Sequence, residues 1–580
     1  MAKFFQTIFL SLLFTIISAQ NVIPPETQTQ IDALVEALMQ TEHVPAFALS
    51  ITKNNGEILY NKGYGLRDRE KNVTADADTL FGIGSVTKSF TAVVIVKYLS
   101  ERFPDLGASV LDTPIRVLAP SYNFTLGDKY RSEKVTFKDL LAHRVCTLPE
   151  SVGMWVEAYE GEDDFYYRQR YAPESCGFRD GFLYNNGLIG MAGHIVAHMA
   201  NSTYEEMLSN LLISIGMNDT TLIKHTDDHD NMMNRALPYI WKGNQLIRYN
   251  SELLKSVVYA NPAGGILSSS NDMAKYMQFH LNRGKVGTTQ VVSEEAMGWL
   301  RIPASSIFSG VLKTDQNPDV LINVGVGYGL CLGVTVYDGY LQVWHNGYIP
   351  PFQSLLNTYP HLGLGIFSSS SGPGSLTTLT HTVLHNAIFH ILQHNDTSQK
   401  ISFPEILDAL PQKRDNQSVI KNQVKNTSEE KQQQIGPKIS PEEALGTFGS
   451  GFNGEFTISF KNNSAGVPQL HVEYGKWGLA WLNQTSPSTF ELIEWDSDFW
   501  MLFWSDNQGV INQTLEFVDA NTIRYLDSGN EIAARFIRDQ KVGDLPVIPW
   551  EEETCKNKGV VEIGSLISVI ILAIITNMLN

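Results

Sequence analysis

The sequence predicts an α/β (α+β) domain with a mixed helix–sheet core, followed by a small all-β, barrel-like C-terminal domain. Three observations carry this expectation. Strand-like segments bracket a long middle section of helical and loop character, a polar stretch poor in aromatics interrupts the chain late, and only short alternating strands recur beyond it. At 580 residues, with 43% apolar and 18% charged positions, the chain is also too long for one small core.

Residues 1–20 read as a signal peptide: Lys3, an apolar run from Phe4 to Ile17, and a small-residue exit at Ser18 and Ala19. The run falls short of the roughly 20 residues that span a bilayer, so cleavage near Ala19 or Gln20 is expected. Residues 21–395 are assigned to the first domain. Ile31, Leu34, Val35 and Leu38 have helical spacing, then Phe47, Leu49 and Ile51 alternate, Asn55-Gly56 turns the chain, and Ile58 and Tyr60 return on a second strand. From Ser85 to Glu101 the run SVTKSFTAVVIVKYLSE is apolar nearly all round, which predicts a buried helix. Helices and loops follow to about residue 320. Short strands are then read over Asn323–Tyr337, Leu341–His345, Gln353–Asn357 and Leu362–Ser368, with a helix over Leu376–Leu392.

Residues 396–443 have the Asn/Gln/Lys/Glu-rich composition of a linker. Residues 444–542 carry strand patterns at Phe456–Phe460, Leu470–Tyr474, Phe490–Trp495, Phe499–Trp504, Leu515–Val518, Ile523–Leu526 and Ile532–Ile537, separated by turns as in a small barrel or sandwich. No catalytic constellation is visible there. Residues 543–580 end in GSLISVIILAIITNMLN, behind the small or polar residues Cys555, Asn557, Gly559, Gly564 and Ser565. That layout suits a glycolipid-anchor signal with Asn557 as attachment point. A single C-terminal transmembrane helix and a docked core helix are the alternatives.

Ten asparagines stand in glycosylation sequons: Asn72, Asn123, Asn201, Asn218, Asn395, Asn416, Asn426, Asn462, Asn483 and Asn512. With the leader, they predict a secreted glycoprotein, cell-surface anchored or matrix-associated. Four cysteines are too few for a disulfide scaffold and form no CxxC pair for zinc. Cys146 and Cys176 either bridge in an oxidising compartment or remain buried thiols. The formal charge of −18 argues against nucleic acid or anionic lipid as a target. His225 and His229 lie in the polar run KHTDDHDNMMN, read as a solvated loop; no metal site and no cofactor are expected.

Ser85 and Lys88 are three apart at the start of the buried helix, which places both on one face near its positive end. A serine hydroxyl needs a nearby base to become a nucleophile, and a desolvated lysine can serve. The Ser-x-x-Lys spacing alone is common. Its surroundings, TLFGIGSVTKSFTA, resemble the nucleophile segment of class C β-lactamases, penicillin-binding proteins and serine D,D-peptidases, including eukaryotic secreted β-lactamase-like relatives. Further segments resemble that family in its own order: Leu140-Leu141-Ala142-His143 with Leu148-Pro149, Tyr184-x-Asn186 in FLYNNGLIG, Pro262 to Ile266 followed by Asp272-Met273-Ala274, and His345-Asn346-Gly347 in VWHNGYIPPFQS.

The resemblance covers about residues 25–395 and implies a β-lactamase/transpeptidase-like fold and acyl-enzyme chemistry on a small ester, amide or peptide. It assigns Ser85, Lys88 and Tyr184 to catalysis. Asn186 would fix the lysine or a substrate amide, and His345, Gly347 and Tyr348 would line the cleft, the backbone N–H groups of Ser85 and Tyr348 forming the oxyanion hole. Tyr184 would act as a base only beside positive charge from Lys88, with His345 as a further candidate source. Three departures stand out: Arg144-Val145-Cys146-Thr147 replaces the usual Thr-Ser-Gly, Pro351 replaces a glycine, and His345 stands where β-lactamases proper have lysine. Losing that fixed cation points away from antibiotic hydrolysis, toward an esterase or D-amino-acid peptidase-like enzyme. The alternative is a non-catalytic extracellular matrix or binding protein that keeps the fold.

Overall fold

The computed structural model describes residues 23–149, 151–232, 234–306, 310–311, 323–373, 377–394, 437–505, 509–510, 513–526 and 532–550. The stretch read as a signal peptide, most of the stretch read as a linker, the apolar tail with Asn557, the sequons at Asn395, Asn416, Asn426 and Asn512, and Cys555 lie outside the described residues.

The first unit is built on a nine-stranded antiparallel sheet. Helix α1 (Pro25–Thr41) precedes β1 (Ala46–Lys53), β2 (Ile58–Asp68) and β3 (Val73–Thr74), and the remaining strands come from much later in the chain. These are β4 (Gly310–Val311), β5 (Asn323–Tyr328), β6 (Gly333–Tyr337), β7 (Tyr340–Ile349), β8 (Phe352–Tyr359) and β9 (Leu364–Ser370), and the sheet order is β4-β5-β6-β7-β8-β9-β1-β2-β3. The two ends of the domain therefore meet where β1 pairs with β9, Leu49 opposite Ser368. Alternation in β1 divides its side chains between two cores. Phe47, Leu49 and Ile51 pack under Ile31, Val35 and Leu38 of α1 and Leu384, Ile388 and Phe389 of the closing helix (Thr377–His394), whereas Ala46 and Ala48 face the other side.

Against that other side lies the helical section inserted between β3 and β4. Its centre is α2 (Thr87–Arg102), whose Phe90, Val93, Ile95, Val96 and Leu99 are almost wholly buried, as the apolar run predicts. Helix α3 (Asn186–Ala200) packs beside α2. Within this section the Cys146–Cys176 disulfide is formed, while Cys331 is a buried free thiol.

The C-terminal unit is a closed eight-stranded antiparallel barrel: β10 (Gly446–Ser450), β11 (Gly454–Asn462), β12 (Pro468–Tyr474), β13 (Gly478–Gln484), β14 (Thr489–Trp495), β15 (Gln513–Asp519), β16 (Thr522–Leu526) and β17 (Ile532–Arg538), with β17 pairing back onto β10. Two of these, β10 and β13, had no strand reading in the sequence, and Phe499–Trp504 forms mainly a 3₁₀ turn (Asp498–Phe503) where a strand was expected. The end of the stretch read as linker is already part of this unit: Ile439 is buried in the barrel's apolar cluster and donates its N–H to Pro487. Among the described residues no helix is long and apolar enough to cross a membrane.

Candidate active site

Ser85 sits in a 3₁₀ turn (Gly84–Val86) immediately ahead of α2. The chain enters this turn from Phe81–Gly82, which pairs with Ile266–Ser268. Gly84 has φ +49°, a conformation that costs glycine little, and a Cβ there would lie 2.6 Å from the backbone of Tyr348. A Cβ on Gly347 would meet the Ile83 carbonyl at 1.9 Å. Two glycines thus let the nucleophile turn and the end of β7 touch backbone to backbone, and Ser354 on β8 ties the turn down by donating to Ile83 at 2.7 Å. This contact brings the main chain of Tyr348 beside Ser85, as an oxyanion hole made from their N–H groups requires. The Tyr348 side chain itself is exposed.

Ser85 is half-buried and Lys88 fully buried. The lysine Nζ lies 2.9 Å from Ser85 Oγ, 2.7 Å from Asn186 Oδ1 and 2.8 Å from the Ala263 carbonyl. It also stands 4.7 Å from the centre of the Tyr184 ring. Ser85, Lys88, Asn186 and Tyr184, drawn from two segments far apart in sequence, therefore converge on one ammonium-sized point. Asn185 makes this placement local: its Oδ1 accepts from Leu188 and caps α3, while its Nδ2 donates to Leu148 at 3.1 Å.

His345 is buried, with Nε2 2.9 Å from the Tyr328 hydroxyl and Nδ1 2.5 Å from the Asn346 carbonyl. A carbonyl only accepts, so Nδ1 carries the proton and Nε2 accepts from Tyr328. Burial, reinforced by the charge of Lys88, pushes the imidazole pKa down to about 3. His345 is neutral at physiological pH, which corrects the expectation that its charge would help Tyr184 ionise. Any cationic support for Tyr184 comes from Lys88.

Two further residues belong to the site whose roles the sequence did not disclose. His143, in the left-handed region at φ 56°, accepts the Asn185 N–H on Nδ1 at 3.1 Å and the Leu183 N–H on its carbonyl at 2.9 Å, so it brackets Tyr184 from both sides. Its ring centre lies 4.3 Å from that of Tyr184, and burial, with Lys88 and His345 nearby, holds its pKa well below the ordinary value. Tyr328, likewise buried, is held as a neutral phenol. The motif match contained His143 but offered no partner for it, and Tyr328 sits on β5, outside the matched segments.

Elsewhere, His229 is buried against Arg235, which corrects the reading of a solvated loop, and burial together with that guanidinium lowers its pKa to about 3. His225 instead faces the Tyr259 ring at 5.7 Å. Among the described residues no group of three or more His, Cys, Asp or Glu could hold a metal. The Cys331 thiol, buried and pushed up by desolvation, is no rival nucleophile. The sequon residues Asn72, Asn123, Asn201, Asn218, Asn462 and Asn483 are all exposed.

A mixed sheet-and-helix unit with a serine one turn ahead of a buried lysine, faced by Tyr-x-Asn and a third motif on a sheet strand, defines the active-site serine fold shared by β-lactamases and penicillin-binding proteins. The β-lactamase family profile matches residues 31–384, more than half the chain, and the protein belongs to that family. It is 25% identical over 345 residues to the unguisins hydrolase ungD' of Aspergillus campestris, covering 58% of this chain and 60% of that protein. It is 25% identical over 299 residues to a β-lactamase of Providencia stuartii, covering 49% and 66% respectively. The matches thus span less than two thirds of these relatives' length. The crystal structure of SurE superposes with a TM-score of 0.50 at 15% identity, over 89% of this chain and 100% of that one, a likeness of fold.

Proposed function

We propose that the protein is a serine hydrolase that acts through an acyl-enzyme on an uncharged ester or amide, as an esterase or a D-amino-acid peptidase-like enzyme. The observation that carries this is the environment of Lys88. A neutral amine has two N–H donors and one lone pair. Asn186 Oδ1 and the Ala263 carbonyl can accept both donors, which turns the lone pair toward Ser85 Oγ at 2.9 Å. In that state Lys88 takes the Ser85 proton as Oγ attacks the carbonyl carbon. The resulting oxyanion is received by the N–H groups of Ser85 and Tyr348. The proton then passes to the leaving oxygen or nitrogen, directly or by way of the adjacent Tyr184, as the old bond breaks. Water repeats the sequence on the acyl-enzyme and releases the acid. Neutral His345 offers no fixed cation for a substrate carboxylate, which favours uncharged substrates over β-lactam antibiotics.

Export is part of this reading. It is supported by the Cys146–Cys176 bridge and by the exposure of the six described sequon residues, and the apolar tail would add a glycolipid anchor. The deciding experiment treats the full-length protein with a fluorophosphonate probe. Wild type should be labelled on Ser85 and Ser85→Ala should not. A wild type that is neither labelled nor active on esters or D-amino-acid peptides would transfer the fold to a matrix or binding role. Release from cells by a phosphatidylinositol-specific phospholipase tests the anchor.

A further inference from the structure

One of the two acceptors that orient Lys88 is a main-chain carbonyl, and no side chain of its own can hold it in place. Asn261–Gly264 form a single helical turn, closed by Gly265 donating to the Asn261 carbonyl. The carbonyls that follow have no further turn to receive them, and those of Pro262 and Ala263 open toward α2 instead. Lys88 donates to Ala263 at 2.8 Å and Thr91 to Pro262 at 2.5 Å. Just past the turn, the Ile266 N–H donates to the Thr87 hydroxyl at 3.1 Å. We propose that Thr91, backed by Tyr204, is a positioning residue for the general base. It fixes the peptide next to the Ala263 carbonyl and so keeps the Lys88 lone pair on Ser85; this rests on the hydrolase reading above.

The direction of each bond follows from its partners. A carbonyl only accepts, so the Thr91 hydroxyl spends its one proton on Pro262. The 2.6 Å contact between Thr91 Oγ1 and the Tyr204 hydroxyl must then run from tyrosine to threonine. Burial pushes the Tyr204 phenol up, so it stays protonated and remains a donor. A threonine inside a helix usually returns its hydroxyl to the carbonyl four residues back. Here that group, on Thr87, is 3.4 Å away, and the closer Pro262 carbonyl receives the proton. Both threonines are fully buried, and both hydroxyls meet the turn.

The remaining sides of the turn are closed as well. A Cβ at Gly193 would lie 2.7 Å from the Pro262 ring, so glycine on α3 lets the proline pack against the same helix that supplies Asn186. Ile223 donates its N–H to Gly265 at 2.8 Å and accepts from Asn261 Nδ2 at 3.1 Å. Those bonds pin the ends of the turn, and Thr91 pins the peptide between Pro262 and Ala263.

If the Ala263 carbonyl swings away, neutral Lys88 can rotate about its stem, and its lone pair faces Ser85 for only part of the time. The ammonium form also loses a charge-assisted acceptor, so the lysine gives up its proton at lower pH. A slower step and an acid limb displaced downward are therefore expected together. Mere weakening of the fold acts the other way. With His345 and His381 held at about 3, the protein is least stable in acid, so active protein is lost there first and the limb rises. The titratable neighbours of Lys88, namely His143, Tyr184, Cys331 and His345, are left in place by the substitutions that follow.

The test measures the rate of fluorophosphonate labelling of Ser85 in the full-length protein as a function of pH. Thr91→Val, which keeps the shape and removes the hydroxyl, should lower the plateau rate about tenfold. Its acid limb should move down by about half a pH unit. Thr91→Ser, which keeps the hydroxyl, should return both to near wild type. Tyr204→Phe leaves Thr91 its own proton and should label about threefold more slowly with the limb moved the same way; it carries the test if the valine variant does not fold. A wild-type profile in the variant that carries the test would overturn the inference and leave the hydrolase standing. A rate loss whose limb stays in place or rises would do the same, as would a serine variant as slow as the valine one. Absence of labelling in wild type would overturn the hydrolase reading and this inference with it.

Discussion

The backbone N–H of Asn185 donates to Nδ1 of His143 across 3.1 Å, and this bond fixes the tautomer of a buried histidine that touches the Tyr184 ring. With Nδ1 accepting, the proton of the neutral ring sits on Nε2, an atom with no hydrogen-bond partner among the described residues. His143 is thereby a positioning residue for Tyr184 rather than an acid or base. We expect His143→Asn, which offers Oδ1 near the Nδ1 position and tolerates the left-handed backbone, to keep the Ser85 acylation rate within about threefold. His143→Ala should lose about tenfold and unfold about 1–3 kcal/mol more easily, because it leaves the Asn185 N–H buried without an acceptor. Rates with a fluorophosphonate and urea midpoints for the two variants separate these outcomes.

Lys88 offers a sharper case. Its replacement by methionine keeps the volume but leaves Asn186 Oδ1 and the Ala263 carbonyl facing an apolar group, and it removes the partner 2.9 Å from Ser85 Oγ. Acylation should fall by about 10²–10⁴. Lys88→Arg should not rescue it, since a planar guanidinium cannot place one nitrogen at the convergence of these three oxygens. Stopped-flow labelling measures both.

How much of this was legible in the sequence depends on where each residue's signal lay. Ser85, Lys88, Tyr184, Asn186 and His345 are side chains in recognisable runs, and the structure gathers them. The Ala263 contact is made by a carbonyl, which carries no side-chain signature, although the Pro262–Ile266 segment itself resembles the family. In the barrel, β13 was missed because its inward positions are Gly478, Ala480 and Leu482, so small residues blur the alternation. β10 turns a single large side chain, Phe448, to the core. Phe499–Trp504 is apolar at every second and third position alike, and periodicity cannot separate a tight helical turn from a strand there.

The Cys146–Cys176 bridge closes 30 residues and ends beside Thr147 and Leu148, whose carbonyls receive the Asn185 side chain. Chain-entropy arguments give such a loop about 3–4 kcal/mol. The Cys146→Ser, Cys176→Ser double variant should lose about that much in urea unfolding and lower the acylation rate less than His143→Ala does. A loss of acylation equal to that of Lys88→Met would show that the bridge itself sets the site.

Six histidines whose pKa values are strongly depressed should make the protein acid-sensitive. Burial holds His229, His280, His345 and His381 at about 3, and His143 and His385 well below the ordinary value. Each takes up a proton near pH 6.5 only when unfolded, so below that pH the unfolded state binds more protons and stability falls as pH drops toward about 3. Urea midpoints should decline from pH 7 to pH 5, and a His381→Phe, His385→Leu variant should reduce the slope by about a third. An unchanged slope would place the acid sensitivity elsewhere.

The barrel rests on the segment from Ser151 to Tyr171, and at Gly153 the two backbones come close. A Cβ there would lie 2.2 Å from the Asn453 carbonyl and 2.8 Å from the Tyr159 hydroxyl, which itself donates to Phe452 at 2.7 Å. Nearby, Val156 is shared with the barrel's apolar cluster and its carbonyl accepts from Lys476 at 2.8 Å. Gly153→Ala must therefore push the barrel outward, at about 1–3 kcal/mol, while leaving the hydrogen bonds of Lys88 untouched. We expect calorimetry to resolve two transitions in place of one and proteases to cut within residues 396–443 sooner, with labelling of Ser85 by a small fluorophosphonate retained. If labelling is lost along with docking, the barrel supports the site as well as the fold, because nothing else near Ser85 has been altered.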